Sequence, residues 1–325
     1  YSLYLIHFPI IVLFNYEVFS GTILGYKSNF ELVKLLILII ILTMFSYKLF
    51  ERNPIFIKNI KISSFSFYSV ILILVIIFNN INYFNYTDNQ KKIFFAWKDR
   101  DTYRCGKIFR ILNPLSQLCE ITKIKGSKNA LLLGDSHADS IKYSYSNEAE
   151  QFSFNVYFFV DNDPLIGRIG VEKIVDYVEK LDIKLVTIHY SNIYYNKLFK
   201  EKFIDLINIL NKKSIKVNVI APIPSYKEKI PKILYEKSIQ KKNNYEWEVS
   251  RDLYDKKNSE FNSFIKKNKS LNINVYDTKD IFCKEFKCSI INKNGEVYYF
   301  DSSHLTKTGA DQLIPIFRDI FKKKN

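Results

Sequence analysis

No Cys-x-x-Cys pair occurs in the 325 residues, and none of the four histidines stands beside any of the four cysteines. A zinc site therefore lacks its customary ligand spacing, and no metal is expected. No segment repeats, which excludes a solenoid or a propeller. The chain has neither an initiating methionine nor a signal peptide, and its first residue already lies within an apolar run. The expectation is that a preceding part is missing. Acidic side chains are also short: 33 Asp and Glu face 48 Lys and Arg, for a net charge of +15.

What is present begins with three apolar runs, Leu3 to Phe19, Leu32 to Leu49 and Phe65 to Ile81. Each approaches the roughly 17 to 25 residues that cross a bilayer. Three of them in so short a stretch predict three transmembrane helices rather than buried core helices. His7 lies inside the first run, where an ionisable side chain is costly and normally functional. The loop Lys48 to Lys61 carries Lys48, Arg52, Lys58 and Lys61 against Glu51, and an excess of basic residues marks the cytoplasmic side. The third run then leads outward, so everything after about Asn82 is expected outside the cytoplasm. Cys105, Cys119, Cys283 and Cys288 all fall there, in a compartment where disulfides persist. Pairing 105–119 and 283–288 is the natural choice by proximity, with two other connectivities open.

Residues 1–81 thus form a membrane segment, and 82–129, polar and aromatic, read as a linker and lead-in. From 130 to 325 apolar strand-like runs alternate with amphipathic helical ones. The expected strands are Ala130 to Leu133, Phe152 to Val160, Ile183 to His189, Ile215 to Ala221 and Ile273 to Tyr276. Helices are expected over Val171 to Leu181, Lys197 to Asn211 and a long stretch from about Ile230 to Lys267. That rhythm predicts an α/β fold with a parallel sheet flanked by helices. Cys288 to Phe300, with Asn294-Gly295 inside it, reads as a hairpin.

The stretch with most chemistry is ALLLGDSHADS, Ala130 to Ser140. An apolar strand ends at Gly134 and hands Ser136 to a strand-to-helix turn, at the carboxyl edge of the sheet where open α/β folds bind ligands. The first N–H groups of the following helix point at the same place, so a nucleophile and anion-stabilising donors share one site. Strand, glycine and serine also describe a phosphate loop or an ordinary turn. Far downstream, YFDSSHLTKTGA sets Asp301 three residues before His304, ahead of a helix expected to start near Thr306. On its own such a pair is usually a helix cap beside a surface histidine. With Ser136 it completes a Ser/His/Asp set: the imidazole takes the serine proton and the carboxylate orients and stabilises the imidazolium. Asp135 is expected to support the serine turn, and His137 and His189 to be structural.

These residues carry two resemblances. GDSH at Gly134 to His137 and DSSH at Asp301 to His304 resemble the first and last motif blocks of the SGNH (GDSL-like) hydrolases. YSLYLIHFPI, Tyr1 to Ile10, and FSYKLFERNPI, Phe45 to Ile55, resemble the closing membrane helices of the acyltransferase-three family, which O-acylates cell-surface glycans. The resemblance implies an SGNH-like domain behind an acyltransferase membrane part, with Ser136, Asp301 and His304 as catalytic residues. It also implies a glycine and an asparagine in an oxyanion hole, for which Gly167 and Asn192 are candidates; the family's GxND is absent, and the strand end reads HYSN.

The expected function is O-acylation, with acetyl as the expected group, of a cell-envelope glycan such as lipopolysaccharide O-antigen or capsule. No cofactor is expected to be bound; the acyl donor would be acetyl-CoA on the cytoplasmic side, used by the missing membrane part. A carbohydrate esterase and a catalytically silent glycan-binding module are the alternatives. Of the net charge, +3 belongs to the first 81 residues and +12 to the rest. Membrane lipid headgroups or an acidic glycan suit that surface; an extracytoplasmic site meets little nucleic acid, and a solvated Lys-rich face needs no partner.

Overall fold

The structure, a computed structural model, describes residues 1–19, 21–22, 28–52, 86–114, 116–159, 165–166, 170–239 and 250–322. It divides into two units, Tyr1–Lys91 and Lys92–Asn325. In the first, the helix Ser2–Phe14 has 13 residues. It stops at Asn15, whose Nδ2 donates to the Ile11 carbonyl at 3.0 Å, and gives way to the strand pair Tyr16–Glu17 and Gly21–Thr22. Asn15 and Glu17 break the apolar run, leaving a helix shorter than a span requires. The helix Asn29–Ser46, capped by Ser28, is long and apolar enough to cross a membrane. The expectation of three spanning helices is thereby corrected to one of sufficient length among the described residues; the third run, Phe65 to Ile81, lies outside them. His7 sits in the shorter helix with its Nδ1 2.9 Å from the Leu3 carbonyl.

The second unit is built on a six-stranded sheet. Its strands are β1 (Leu118–Glu120), β2 (Lys128–Gly134), β3 (Phe154–Phe159), β4 (Ile183–His189), β5 (Lys216–Ile220) and β6 (Asn274–Tyr276). They lie in the order β1-β3-β2-β4-β5-β6. All neighbours are parallel except β1, which runs antiparallel to β3 with Cys119 opposite Phe158. The expected parallel sheet is therefore mixed. The residues read as a lead-in return along the outer edge, and an antiparallel edge strand needs no crossover helix.

Apolar alternation along the strands feeds two layers. Leu131 and Leu133 of β2, with Val186 and Ile188 of β4, face a cluster that includes α2 (Gly170–Lys180) and α3 (Lys197–Lys212), through Ile174, Val178, Phe199, Phe203 and Leu206. On the other face α1 (Ser136–Gln151) packs with α4 (Ile314–Lys322): Tyr145 meets Phe317 and Phe321 at 5.4 and 4.9 Å. The Tyr145 hydroxyl donates to Thr187 Oγ1 at 2.7 Å, which satisfies a buried polar pair.

Two local expectations are corrected. The long helix read over Ile230 to Lys267 is Ile230–Ser238, Arg251–Lys257 and Ser259–Lys267, with 240–249 outside the described residues. Ser250 opens the second piece by accepting the Leu253 N–H at 3.1 Å, and such a cap starts a helix rather than continuing one. The hairpin read at Cys288 to Phe300 is shorter than expected: Ile291 bridges Val297 and the Tyr298 N–H donates to the Ile290 carbonyl, while a separate bridge, Tyr299 with Leu305, runs past its end. Its turn is held by the Asn292 carboxamide, which accepts from Asn294 and Glu296 N–H at 2.9 and 3.0 Å.

Both cysteine pairs are closed as disulfides, Cys105–Cys119 and Cys283–Cys288. The first ties the helix Gly106–Leu112 to the edge strand β1 across a separation of 14 residues; the second closes a separation of 5. By loop-closure entropy the longer loop contributes about 3 kcal/mol and the shorter about 2. Cys105→Ser should therefore lower the melting temperature more than Cys283→Ser does, as read by thermal denaturation of the two variants without reductant.

Candidate active site

Gly134 ends β2 opposite His189 of β4. A Cβ there would overlap the His189 carbonyl oxygen and lie 2.6 Å from the Ala138 Cβ, so the turn from strand to helix requires glycine. Asp135 follows as the N-cap of α1 and accepts the His137 N–H on Oδ1 at 2.9 Å. Its other oxygen accepts the Ser191 N–H at 3.2 Å. One carboxylate thus staples the ends of β2 and β4. Burial pushes its pKa up, against the pull of the His137 N–H, the nearby His189, the Ser191 N–H and His304. The strand order β3-β2-β4-β5-β6 reverses direction between β2 and β4. Open sheets place ligands at that crevice.

Ser136 is the first residue of α1, half-buried. Its Oγ lies 2.7 Å from His304 Nε2, and His304 Nδ1 lies 2.7 Å from Asp301 Oδ2. Asp301 Oδ1 accepts the N–H groups of Ser303 and His304, both at 2.8 Å. The carboxylate therefore caps its own turn and aims one oxygen at the imidazole, which is what the spacing of three residues achieves. Neighbouring chain holds the loop: the Asp301 and Ser302 carbonyls accept from Ile230 and Tyr226, and the Thr306 N–H donates to Tyr298. Thr306 caps the helix Lys307–Ala310 through the Gly309 N–H.

The electrostatics separate the three imidazoles of the site. His304 is disfavoured as a cation by burial, but the hydrogen bond and charge of Asp301, helped by Asp135 and Asp139, raise its pKa above the ordinary value. For Asp301, burial raises the pKa, and the hydrogen bond and charge of His304 with two backbone N–H groups bring it below the usual carboxylate range. The His137 ring lies 4.9 Å from that of His304, tilted by 52°, and His189 lies 6.2 Å from His137. Burial drives His137 down to about 3 and His189 down to about 4. Only His304 combines a basic nitrogen with a hydroxyl neighbour.

Of the two oxyanion candidates, Gly167 lies outside the described residues. Asn192 follows β4 and donates Nδ2 to the Lys257 carbonyl at 3.0 Å. Sequence reasoning passed over the lead-in. Asp99 accepts the Lys307 and Thr308 N–H groups at 2.7 and 3.0 Å, just beyond His304. The Arg104 N–H donates to the Asp139 carboxylate on the serine helix at 3.0 Å. Buried Lys142 pairs with Asp101 and Asp139 at 2.8 and 3.0 Å. No spacing signals these contacts, because their partners are distant in sequence.

A doubly wound sheet delivering a serine at its switch point, hydrogen-bonded to a histidine that is itself held by an aspartate of the same late turn, defines an SGNH-type α/β domain. Residues 104–319 match the family described as the SGNH domain fused to AT3 domains, and the chain belongs to it. Among curated proteins none matches in sequence. Among solved structures, the periplasmic domain of a lipopolysaccharide acetyltransferase from Salmonella ser. Paratyphi A is 18% identical with a TM-score of 0.49, over 74% of this chain and 99% of that one. A GDSL-like lipase from Bacteroides thetaiotaomicron is 12% identical with a TM-score of 0.41, over 73% and 99%. These are loose likenesses of fold.

The buried neutral histidines make stability pH-dependent. In the unfolded chain each takes a proton below about 6.5, whereas the folded His189 resists until about 4. The unfolded state then binds more protons over that window, so stability present above pH 6.5 is lost as pH falls toward 4. His189 alone accounts for a loss on the order of 3 kcal/mol at pH 4. Urea melts at pH 7 and pH 4 should show a smaller pH difference for His189→Asn than for the parent; equal differences would refute the assignment.

Proposed function

We propose that the protein is an O-acyltransferase that moves an acyl group, acetyl foremost, onto a hydroxyl of a cell-envelope glycan such as lipopolysaccharide O-antigen or capsule. The observation that supports this reading is the Ser136–His304–Asp301 chain of two 2.7 Å contacts, in a family whose domain is fused to AT3 domains. His304 Nε2 takes the Ser136 proton as Oγ attacks the donor carbonyl, and returns it to the leaving group as the tetrahedral species collapses to an acyl-serine. A sugar hydroxyl then attacks, again losing its proton to His304, and Ser136 is regenerated. The developing oxyanion is met by the N–H groups that open α1, with Asn192 and Gly167 as further proposed donors. The acyl group originates in acetyl-CoA on the cytoplasmic side, is carried across by an upstream membrane part and is handed to Ser136 there, so that the domain works outside the cytoplasm. Two disulfides support that compartment.

Ser136→Ala and His304→Ala should each cost on the order of 10⁴-fold or more in kcat, and Asp301→Asn on the order of tenfold to a hundredfold less, because orientation is lost before proton transfer is. The measurement is transfer of labelled acetyl from a soluble ester donor by the full chain in detergent, with envelope oligosaccharides as acceptor. Undiminished transfer by Ser136→Ala would refute the mechanism, and Ser136-dependent ester hydrolysis without labelled sugar would make the protein an esterase. His304 must be neutral to act as base, so activity should fall as pH drops through a value above 6.5. Asp301→Asn removes the raising charge and should move that limb to lower pH.

A further inference from the structure

We infer that Trp97 is a stacking platform for a pyranose ring of the acceptor glycan, held beside the Ser136–His304 pair by Phe300. The inference rests on the transfer reading above and adds where the acceptor is seated. Trp97 keeps 53% of its surface exposed. A lone exposed aromatic is ordinary, but this one is the outer member of an ordered series. Its ring meets Phe300 edge-on at 6.1 Å and 84°. Phe300 lies nearly parallel to His304 at 5.6 Å and 13°, and His304 Nε2 is 2.7 Å from the serine hydroxyl. The indole is therefore at most about 12 Å from the imidazole, a distance that a short oligosaccharide spans.

The chemistry around the indole suits a sugar. A pyranose offers a patch of aliphatic C–H and a rim of hydroxyls; the C–H patch sits on the electron-rich π face, and burying both excludes water. The Arg100 guanidinium lies over one face of the indole, 3.8 Å from its centroid, so the sugar takes the opposite face; among the described residues no carboxylate forms an ion pair with Arg100. Its N–H donors are placed to reach the hydroxyl rim. The platform is also preorganised. Asp99, two residues on, holds the Lys307 and Thr308 N–H groups, so the segment carrying Trp97 is fastened to the loop carrying His304. Ordering it costs nothing further at the moment of binding.

The test uses the full chain in detergent and de-O-acetylated oligosaccharides released by mild acid from the producing cell's envelope. In a Ser136→Ala, Trp247→Phe protein, Trp97 is the one remaining indole, and its fluorescence should shift saturably with oligosaccharide. In the active chain Trp97→Leu should raise the acceptor KM by about tenfold or more with kcat little changed, while Trp97→Phe, which keeps a π face, should stay within about threefold. An unchanged KM in Trp97→Leu, or a loss of kcat at constant KM, overturns the platform; the latter result would mean that Trp97 acts through Phe300 on the histidine. If the parent chain itself labels no oligosaccharide, the transfer reading fails and the platform with it, so the two failures are told apart by the parent alone.

Discussion

The ends of β2 and β4 approach so closely that residue 134 has no room for a side chain, and the geometry of the site follows from that approach. With Gly134 against the His189 carbonyl, the next carboxylate, Asp135, reaches both the helix it caps and the N–H of Ser191. The serine is then presented at the switch point of the sheet, on the first residue of a 16-residue helix. A larger residue at 134 would part the two strand ends, and the staple, the cap and the serine position would go together.

The polar interior behind the serine is organised by desolvation. Three histidines lie in one line of contacts, yet two are held neutral by burial and the third is held basic by Asp301. A cation formed at His304 has no competitor for its proton among its imidazole neighbours. Burial alone would have lowered all three; His304 is set apart by its hydrogen bond to Asp301, helped by the charges of Asp135 and Asp139, and the charge of Asp301 is kept by two backbone N–H groups and the imidazole.

The lead-in gives the domain a second connection between the elements of its candidate site. Between residues 99 and 104 it contacts the helix of Ser136, through Asp139 and Lys142, and the turn after His304, through Lys307 and Thr308. A buried ammonium such as Lys142 is costly unless both its carboxylates stay in place, so the seating of this segment is specified rather than loose. The Cys105–Cys119 bond then anchors it to the edge of the sheet.

Much of this was legible along the chain. The alternation of apolar runs located β2 to β6 within a residue or two, because a buried parallel strand has few other compositions. The spacing of Asp301 and His304 foretold their contact, since three residues make one turn. The antiparallel edge strand was not legible: three residues beside a cysteine carry no periodicity, and only pairing with β3 makes them a strand. Nor was the division of the long helical stretch, where propensity runs on through a break that a serine cap decides. By itself the sequence determined the local units, strand, cap, turn and the two halves of a Ser/His/Asp set, because those depend on neighbours within a few residues. The tertiary structure alone decided that Ser136 and His304, 168 residues apart, share a hydrogen bond, that burial lowers the pKa of His137 and His189, and that Trp97 stands beside the site. Each of these is set by which distant surfaces exclude water from one another.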